Sequence, residues 1–237
     1  TIGMGREIAR LHPRESDFAG AKLVRVTMDP ANTVVSMNIG VGALHDPRTK
    51  SGLAHEVEHG TLAGNFLDVM NFRRGLDKGA QTWFAGTDWW LTEYLAQGGT
   101  GSALGLMGML LRMAGYPTFD EQQVRHDLSI VQSERNGELD NPWEYLGDIF
   151  EYMWFAPELG QDGIRGSMES IEKMKVADLR KHHRRYYTSD NLTMVVAGDT
   201  RKSEEAFERL VERWRRGERQ EIRSLKRGVE RKAIKDI

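Results

Sequence analysis

One pentapeptide of this chain carries two imidazoles and two carboxylates on about one and a half helical turns: His55-Glu56-Val57-Glu58-His59. Residues four apart lie on one face of a helix, so His55 and His59 can reach a single ion. At roughly 100° per residue, Glu56 and Glu58 lie about 80° to either side of the two histidines. The segment therefore fits the H-E-x-x-H zinc pattern, with Glu56 as base, and its reversal H-x-x-E-H, with Glu58 as base. Helix geometry alone does not choose between the two carboxylates.

The chain contains no cysteine, which excludes disulfides and thiolate ligands. A zinc site must then use histidine and carboxylate ligands. Structural zinc sites are usually closed by thiolates, whereas catalytic sites combine three protein ligands with an open position. The composition therefore favours a catalytic site, with one zinc ion per chain.

Charge and hydropathy argue against two classes of partner. The 33 basic and 35 acidic residues nearly balance, so we expect no general field for nucleic acid. No apolar run approaches the roughly 20 residues of a membrane span. We expect a soluble protein without a nucleic-acid partner and without a membrane span, and the compartment stays open between the cytoplasm, the periplasm and an organelle.

The residue patterns predict an α+β fold with a largely antiparallel sheet packed by helices. The zinc-motif helix should begin after Pro47, with Ser51 as its N-cap and Gly60 as its stop. Strands are predicted at Lys22–Met28 and Thr33–Val41, as a pair or one bent strand within Gln81–Leu95, and at Leu192–Ala197. Further helices are predicted at Ser102–Met113, Phe119–Glu138, Trp143–Trp154, Val176–Tyr187 and Lys202–Arg216. Residues 1–216 are expected to form one zinc-bearing domain, and residues 217–237 a charged linker or tail.

A third metal ligand must come from elsewhere in the sequence, because the helix supplies only two good ones. The best candidate is Glu134, which shares a helix face with Asp127, seven residues earlier. A carboxylate at that position would be half-buried where the helix meets the core. Glu138, one turn further on, is the alternative ligand.

The segment Gly52-Leu53-Ala54-His55-x-x-Glu58-His59 resembles the signature of the pitrilysin-type inverzincin (H-x-x-E-H) zinc metallopeptidases. This family includes insulin-degrading enzyme and the mitochondrial processing peptidase, with its beta-like subunits. The resemblance is to the metal-bearing N-terminal domain and implies a LuxS/processing-peptidase-like metallohydrolase fold. It covers roughly the residues from Ala21 to Trp214, and further matches follow in family order: Thr92-Glu93-Tyr94, Val131-Gln132-Ser133-Glu134, Asn141-Pro142, residues 164–171 and residues 186–199.

The resemblance implies that His55 and His59 are zinc ligands, that Glu58 is the general base and that Glu134 is the third ligand. The spacing of 75 positions from His59 to Glu134 suits the family better than the spacing to Glu138.

Two acidic residues depart from the family pattern. Asp127 stands where family members usually have a glutamate that supports the site through a contact with the ligands. The side chain of Asp127 is shorter than that of the glutamate, and we expect it to play the same supporting role. Glu56 stands where the family usually has an apolar or aromatic residue, and it remains the alternative base.

Family members also carry an Asn-Ala-x-Thr stretch on an edge strand that pairs with the substrate backbone. This chain has Phe84-Ala85-Gly86-Thr87 there, with Phe84 in place of the asparagine. Pairing to an edge strand needs no particular side chain, so these four residues are expected to bind substrate. Of the four aromatic residues in this region, two should lie in the core because side chains alternate along a strand. The four aromatic residues are Trp83, Phe84, Trp89 and Trp90.

The resemblance implies a zinc-dependent endopeptidase that hydrolyses small or unfolded peptides bound as an added edge strand. Family peptidases are built from repeated domains that close around the peptide, and the opposing half supplies an Arg and a Tyr. We therefore expect the chain to be a metal-bearing half that needs a second peptidase-like domain or subunit for full activity. The alternative is a non-catalytic structural or peptide-binding subunit of a peptidase complex. A conventional H-E-x-x-H zincin fits the downstream glutamate poorly, and the related S-ribosylhomocysteine lyase needs a thiolate.

Overall fold

The computed structural model describes residues 12–28, 31–63, 82–159 and 162–216. Their strands form a six-stranded sheet in the order β1-β2-β6-β3-β5-β4. Neighbouring strands are antiparallel except β2 and β6, which are parallel. The strands are β1 (Arg14–Phe18), β2 (Ala21–Thr27), β3 (Asn32–Ile39), β4 (Thr82–Thr87), β5 (Thr92–Gly99) and β6 (Leu192–Gly198). The predicted α+β class with a largely antiparallel sheet is confirmed, and the predicted tail at 217–237 lies outside the described residues.

Helices account for most of the remaining described chain. They are α1 (Leu53–Ala63), α2 (Ala103–Gly115), α3 (Glu121–Asp140), α4 (Pro142–Leu159), α5 (Met168–Glu172), α6 (Val176–Tyr186) and α7 (Ser203–Arg215). Every helix predicted from the sequence is present. In the part of the chain that the structure describes, no helix combines the length and hydropathy of a membrane span.

The sheet has one covered face and one open face. Alternate residues of β3, β5 and β6 are buried, and the residues between them are half-exposed. The buried residues join helix side chains in one core, which includes Tyr94 of β5, Leu106 of α2 and Phe207 of α7. Helix α2 is buried along most of its length, as its continuous apolar sequence predicts.

The N-terminus of α1 is capped by an aspartate rather than by the predicted serine. The Asp46 carboxylate accepts from the backbone N–H groups of Gly52 and Ala54, both at 2.8 Å. The Ser51 hydroxyl instead donates to Asp162 at 2.9 Å. Ser51 was the wrong cap because an aspartate five residues earlier reaches the free N–H groups of the first turn.

Helix α1 also runs past Gly60, which was predicted to end it, and continues to Ala63. The glycine is needed for packing. A Cβ at Gly60 would lie 2.8 Å from Cε1 of the buried Phe119 ring, inside van der Waals contact. Gly60 therefore lets the Phe119 ring approach the helix closely, a requirement that no local sequence pattern reveals.

Strands β4 and β5 form a hairpin, which decides between the two expectations for this region. Trp83 and Ala85 pack against the core, and Ala85 lies opposite the buried Tyr94. Phe84 and Gly86 lie on the other, open face, because side chains alternate along a strand. Of the four aromatic residues, Trp83 and the buried Trp89 belong to the core side, whereas Phe84 and Trp90 are exposed.

Candidate metal centre

Helices α1 and α3 bring three side chains together that could hold a metal ion. Oε2 of Glu134 lies 3.7 Å from Nε2 of His55 and 3.6 Å from Nε2 of His59. The two imidazole rings lie with their centroids 4.7 Å apart, edge to face. One ligand atom from each residue falls within 4.8 Å of the others. The structure thus brings together the three side chains that the sequence nominates as ligands.

The separations between these atoms suit zinc. Two ligand atoms that lie about 2.0–2.1 Å from a tetrahedral zinc ion are about 3.4 Å apart. The observed distances from Glu134 to His55 and His59 exceed that value by a few tenths of an ångström. Two nitrogens and one carboxylate oxygen also form a typical donor set for catalytic zinc, so the residues fit the ion.

The electrostatics of His55 and Glu134 favour metal binding, whereas neighbouring carboxylates, chiefly Glu134, outweigh burial and raise the pKa of His59. Burial lowers the pKa of His55 to about 3, so its imidazole is neutral at physiological pH. The hydrogen bond with His59 lowers the pKa of Glu134, which keeps that carboxylate ionised. A neutral imidazole and an ionised carboxylate are the forms that bind zinc.

The two glutamates of the motif occupy different surroundings. Oε2 of Glu58 accepts a long hydrogen bond, at 3.5 Å, from the Thr87 hydroxyl at the end of β4. Burial raises the pKa of Glu58 to about 7. Glu58 therefore faces the edge strand of the sheet and has a pKa close to that of an effective base at neutral pH.

Glu56 is fully buried, and neither of its carboxylate oxygens has a hydrogen-bond partner among the described residues. Its pKa is raised to about 8, mainly by burial; the charge of His59 opposes this shift and that of Asp127 adds to it. Asp127 is also buried, and its Oδ1 accepts from the side-chain amide of Gln123 at 3.2 Å. Asp127 lies close enough to both Glu56 and His59 for their charges to interact.

Glu138, the alternative third ligand, is engaged elsewhere. Oε2 of Glu138 accepts from Arg135 at 3.0 Å, and Oε1 forms an ion pair with Arg165. Its side chain is buried between the two arginines. Glu138 therefore has both oxygens neutralised by cations, while Glu134, one turn earlier, faces the histidines.

Sequence reasoning missed Arg165. Its Nε lies 3.8 Å from Oε2 of Glu134, so a cation from the loop before α5 borders the candidate ligand. In the sequence, the segment that contains it stands out only through its resemblance to the family. No residue pattern shows that this loop returns to the zinc-motif helix, because the contact depends on tertiary packing.

Three buried hydroxyl groups connect α1 to the sheet and to the end of α6. The Thr61 hydroxyl lies 2.7 Å from the backbone oxygen of Glu58, to which it donates, and 3.0 Å from Tyr94 Oη. The Tyr94 and Tyr187 hydroxyls lie 2.9 Å apart. These contacts join α1 to β5 and to the end of α6, so they fix the height of the helix above the sheet.

Comparison with known proteins supports the same class of site. No family model matches the chain. The chain is 26% identical over 196 residues to an uncharacterized zinc protease, YmxG, of Bacillus subtilis, matching 81% of this chain and 47% of that protein. It superposes on the first half of the periplasmic protease PqqL from Escherichia coli with a TM-score of 0.72 and 19% identity, covering 84% of this chain and 45% of that one. Pitrilysin superposes with a TM-score of 0.68 and 18% identity, over 84% of this chain and 22% of that one.

The three converging side chains form a candidate His-His-Glu metal centre on an H-x-x-E-H helix. In sequence the chain is similar to zinc proteases, and its fold is that of pitrilysin and other M16-type peptidase domains. It spans less than half the length of each of the three proteins compared above.

Proposed function

We propose that this domain is the metal-bearing half of a zinc-dependent endopeptidase and that it holds one zinc ion. The observation that carries the proposal is the convergence of His55, His59 and Glu134 beside the carboxylate of Glu58. A zinc ion held there supplies the Lewis acidity that peptide hydrolysis requires.

Glu58 is the proposed general base. Its carboxylate takes a proton from the attacking water and passes it to the nitrogen of the leaving amine. The contact from Thr87 supports this choice over Glu56, because it directs Glu58 toward the strand where we propose that substrate binds. Glu56 is enclosed by protein and lacks such a contact among the described residues.

The substrate is proposed to be a small or unfolded peptide that adds a strand to β4. This strand lies at the end of the sheet order, and among the described strands only β5 pairs with it. Ala85 and Thr87 lie on the covered face, toward α1, whereas Phe84 and Gly86 lie on the open face. Main-chain hydrogen bonds would supply the affinity. A peptide that is N-methylated at alternate residues should therefore bind much more weakly than the unmodified peptide, and equal binding would exclude strand addition.

Full activity is proposed to need a second peptidase-like domain or subunit. The chain spans 47% of the Bacillus relative, so a region of similar size is present there outside the match. Helix α4 supports the proposal because it exposes large apolar side chains, which monomeric proteins rarely leave uncovered. These exposed residues are Trp143, Tyr145, Leu146, Ile149, Phe150 and Met153.

Two measurements test the endopeptidase proposal. We expect the purified chain to bind about one equivalent of zinc and His55→Ala to bind much less. With the second half present, Glu58→Gln should keep the zinc and lose turnover by on the order of 10²–10⁴-fold, whereas Glu56→Gln should stay active. Loss of turnover in Glu56→Gln with full activity in Glu58→Gln would overturn the assignment of the base.

The second candidate function is a non-catalytic structural or peptide-binding subunit. The exposed apolar side chains of α4 would serve that function equally well. Stoichiometric zinc binding without any turnover, with and without the second half, would favour it. Gel filtration of the two halves together reports whether they associate.

A further inference from the structure

The loop that carries Arg165 is fixed against the start of the zinc-motif helix by two glycines. Gly52 and Gly166 both have positive φ angles, of +84° and +77°. A Cβ on Gly52 would overlap the carbonyl oxygen of Arg165, and a Cβ on Gly166 would overlap that of Ser51. The two backbones therefore cross in direct contact, which only glycine permits at these positions.

Hydrogen bonds reinforce this crossing. The Ser170 hydroxyl donates to the backbone oxygen of Ser51 at 2.9 Å. The backbone N–H of Ser167 donates to the Ser51 hydroxyl at 3.3 Å. These contacts hold the backbone of Arg165 in a fixed position relative to the start of α1.

From this backbone position, the guanidinium of Arg165 reaches two carboxylates of α3. One terminal nitrogen pairs with Oε1 of Glu138, and Nε lies 3.8 Å from Oε2 of Glu134. Arg135 holds the other oxygen of Glu138 at 3.0 Å. Two arginines and two glutamates thus form a compact, electrically balanced group, in which Glu134 alone also faces the histidines.

One nitrogen of Arg165, Nε, remains available to donate a hydrogen bond to Glu134. Nε of Arg165 is buried, and no hydrogen-bond partner for it exists within the described ranges. Oε2 of Glu134, the atom that faces both histidines, lies 3.8 Å from this nitrogen. A small rotation of either side chain would bring this donor and acceptor to hydrogen-bond distance.

We propose that Arg165 is a positioning residue for Glu134, holding its carboxylate toward His55 and His59 so that the metal ligands are arranged before the ion binds. The inference rests on the proposed zinc-dependent function and adds a residue to its site. Outer partners of metal ligands typically change metal affinity by about 10–100-fold when they are removed. Glu138 acts in the same arrangement by orienting Arg165.

Zinc affinity of the full chain, measured by competition with a chromogenic chelator, tests this inference. Arg165→Ala should raise the zinc Kd by about 10–100-fold. Arg165→Lys should recover part of the loss, because lysine keeps the charge but lacks the planar fork. Arg25→Ala is the matched control, since Arg25 forms an arginine–glutamate pair with Glu204 at 2.6 Å, on elements that carry no proposed ligand. It should leave the zinc Kd unchanged.

Two further readouts separate positioning from loss of folding. The thermal midpoint of the metal-free Arg165→Ala protein should stay near that of Arg25→Ala. The visible absorption of the cobalt(II) form should change in Arg165→Ala and not in the control, because this spectrum reports ligand geometry. In a double-mutant comparison, Glu138→Gln should weaken zinc binding and add little to Arg165→Ala.

The outcomes distinguish the inference from the proposed function. If the wild-type chain binds no zinc, the proposed function fails. If it binds zinc and Arg165→Ala binds equally well or more tightly, only the positioning role fails. Tighter binding would mean that Arg165 competes with the metal for Glu134.

Discussion

The hydroxyl of Thr87 donates to Oε2 of Glu58 at 3.5 Å, which joins the last residue of the edge strand to the carboxylate beside the ligand histidines. A peptide strand added to β4 would therefore run past the proposed base. This one contact couples the proposed site of substrate pairing to the proposed site of proton transfer. It also gives the edge strand a role beyond main-chain pairing.

Removal of that hydroxyl should affect catalysis more than removal of the neighbouring aromatic ring. Thr87→Val keeps the shape of the side chain and loses the hydrogen bond, which lowers the pKa of Glu58 in the wild type. We expect kcat to fall by about 2–10-fold and the acid limb of the pH profile to move to higher pH. Phe84→Ala is the control, because the Phe84 ring is 56% exposed on the open face of β4. An equal loss of kcat in both variants would contradict the assigned role of Thr87.

The glycine crossing predicts a large loss of stability on substitution. Gly166→Ala introduces a Cβ into the backbone of Ser51 at a positive φ angle. The free energy of unfolding should fall by at least about 2 kcal/mol, measured by urea denaturation. Gly137→Ala is the matched control, because nothing lies within 4 Å of a Cβ at that position of α3. There the change should stabilise the protein by about 0.5–1 kcal/mol, and a neutral Gly166→Ala would contradict the crossing.

We expect that turnover does not require Glu56 and that its buried carboxylate destabilises the folded protein. Its carboxylate is fully buried, and within the described structure both oxygens lack hydrogen-bond partners. An unsatisfied buried polar group costs about 1–3 kcal/mol, so Glu56→Leu should raise the free energy of unfolding by about 1 kcal/mol or more. Zinc binding and peptidase activity should persist. Loss of activity together with normal zinc binding would revive Glu56 as the base.

The sequence predicted the parts of this molecule that local patterns encode. Four-residue spacing placed His55 and His59 on one helix face, and α3 carries Glu134 to the same point. Apolar periodicity and capping residues predicted the longer helices, whereas the short α5 was not predicted and α4 extends five residues past its predicted end. The third ligand came from family resemblance, because residue chemistry left Glu134 and Glu138 as alternatives.

The sequence did not predict the contacts that join distant segments. Gly60 was interpreted as a stop, whereas it makes room for Phe119 from another part of the chain. Nor does any spacing rule indicate that Arg165 pairs with Glu138, while Glu134 faces the two histidines. Such features depend on how elements cross in three dimensions, and a single sequence does not reveal these crossings.

His182 provides the last example, and it predicts a pH dependence of stability. No local sequence pattern marks His182 as a core residue, yet it is buried in α6, with its ring 4.8 Å from that of Tyr186. Its Nε2 has no hydrogen-bond partner among the residues that the structure describes. Burial, followed by the charges of His45 and His183, lowers the pKa of His182 to about 3.

The sign of the effect follows from proton binding. Between pH 3 and 6.5 the unfolded chain binds a proton at His182 and the folded chain does not, so stability rises with pH across this window. The slope from this residue should be about 1.4 kcal/mol per pH unit. In urea denaturation between pH 4 and pH 7, His182→Phe should reduce the slope, whereas His126→Ala should not, because His126 is exposed in α3. An unchanged slope in His182→Phe would show that the imidazole gains its proton without unfolding, which its burial against Tyr186 opposes.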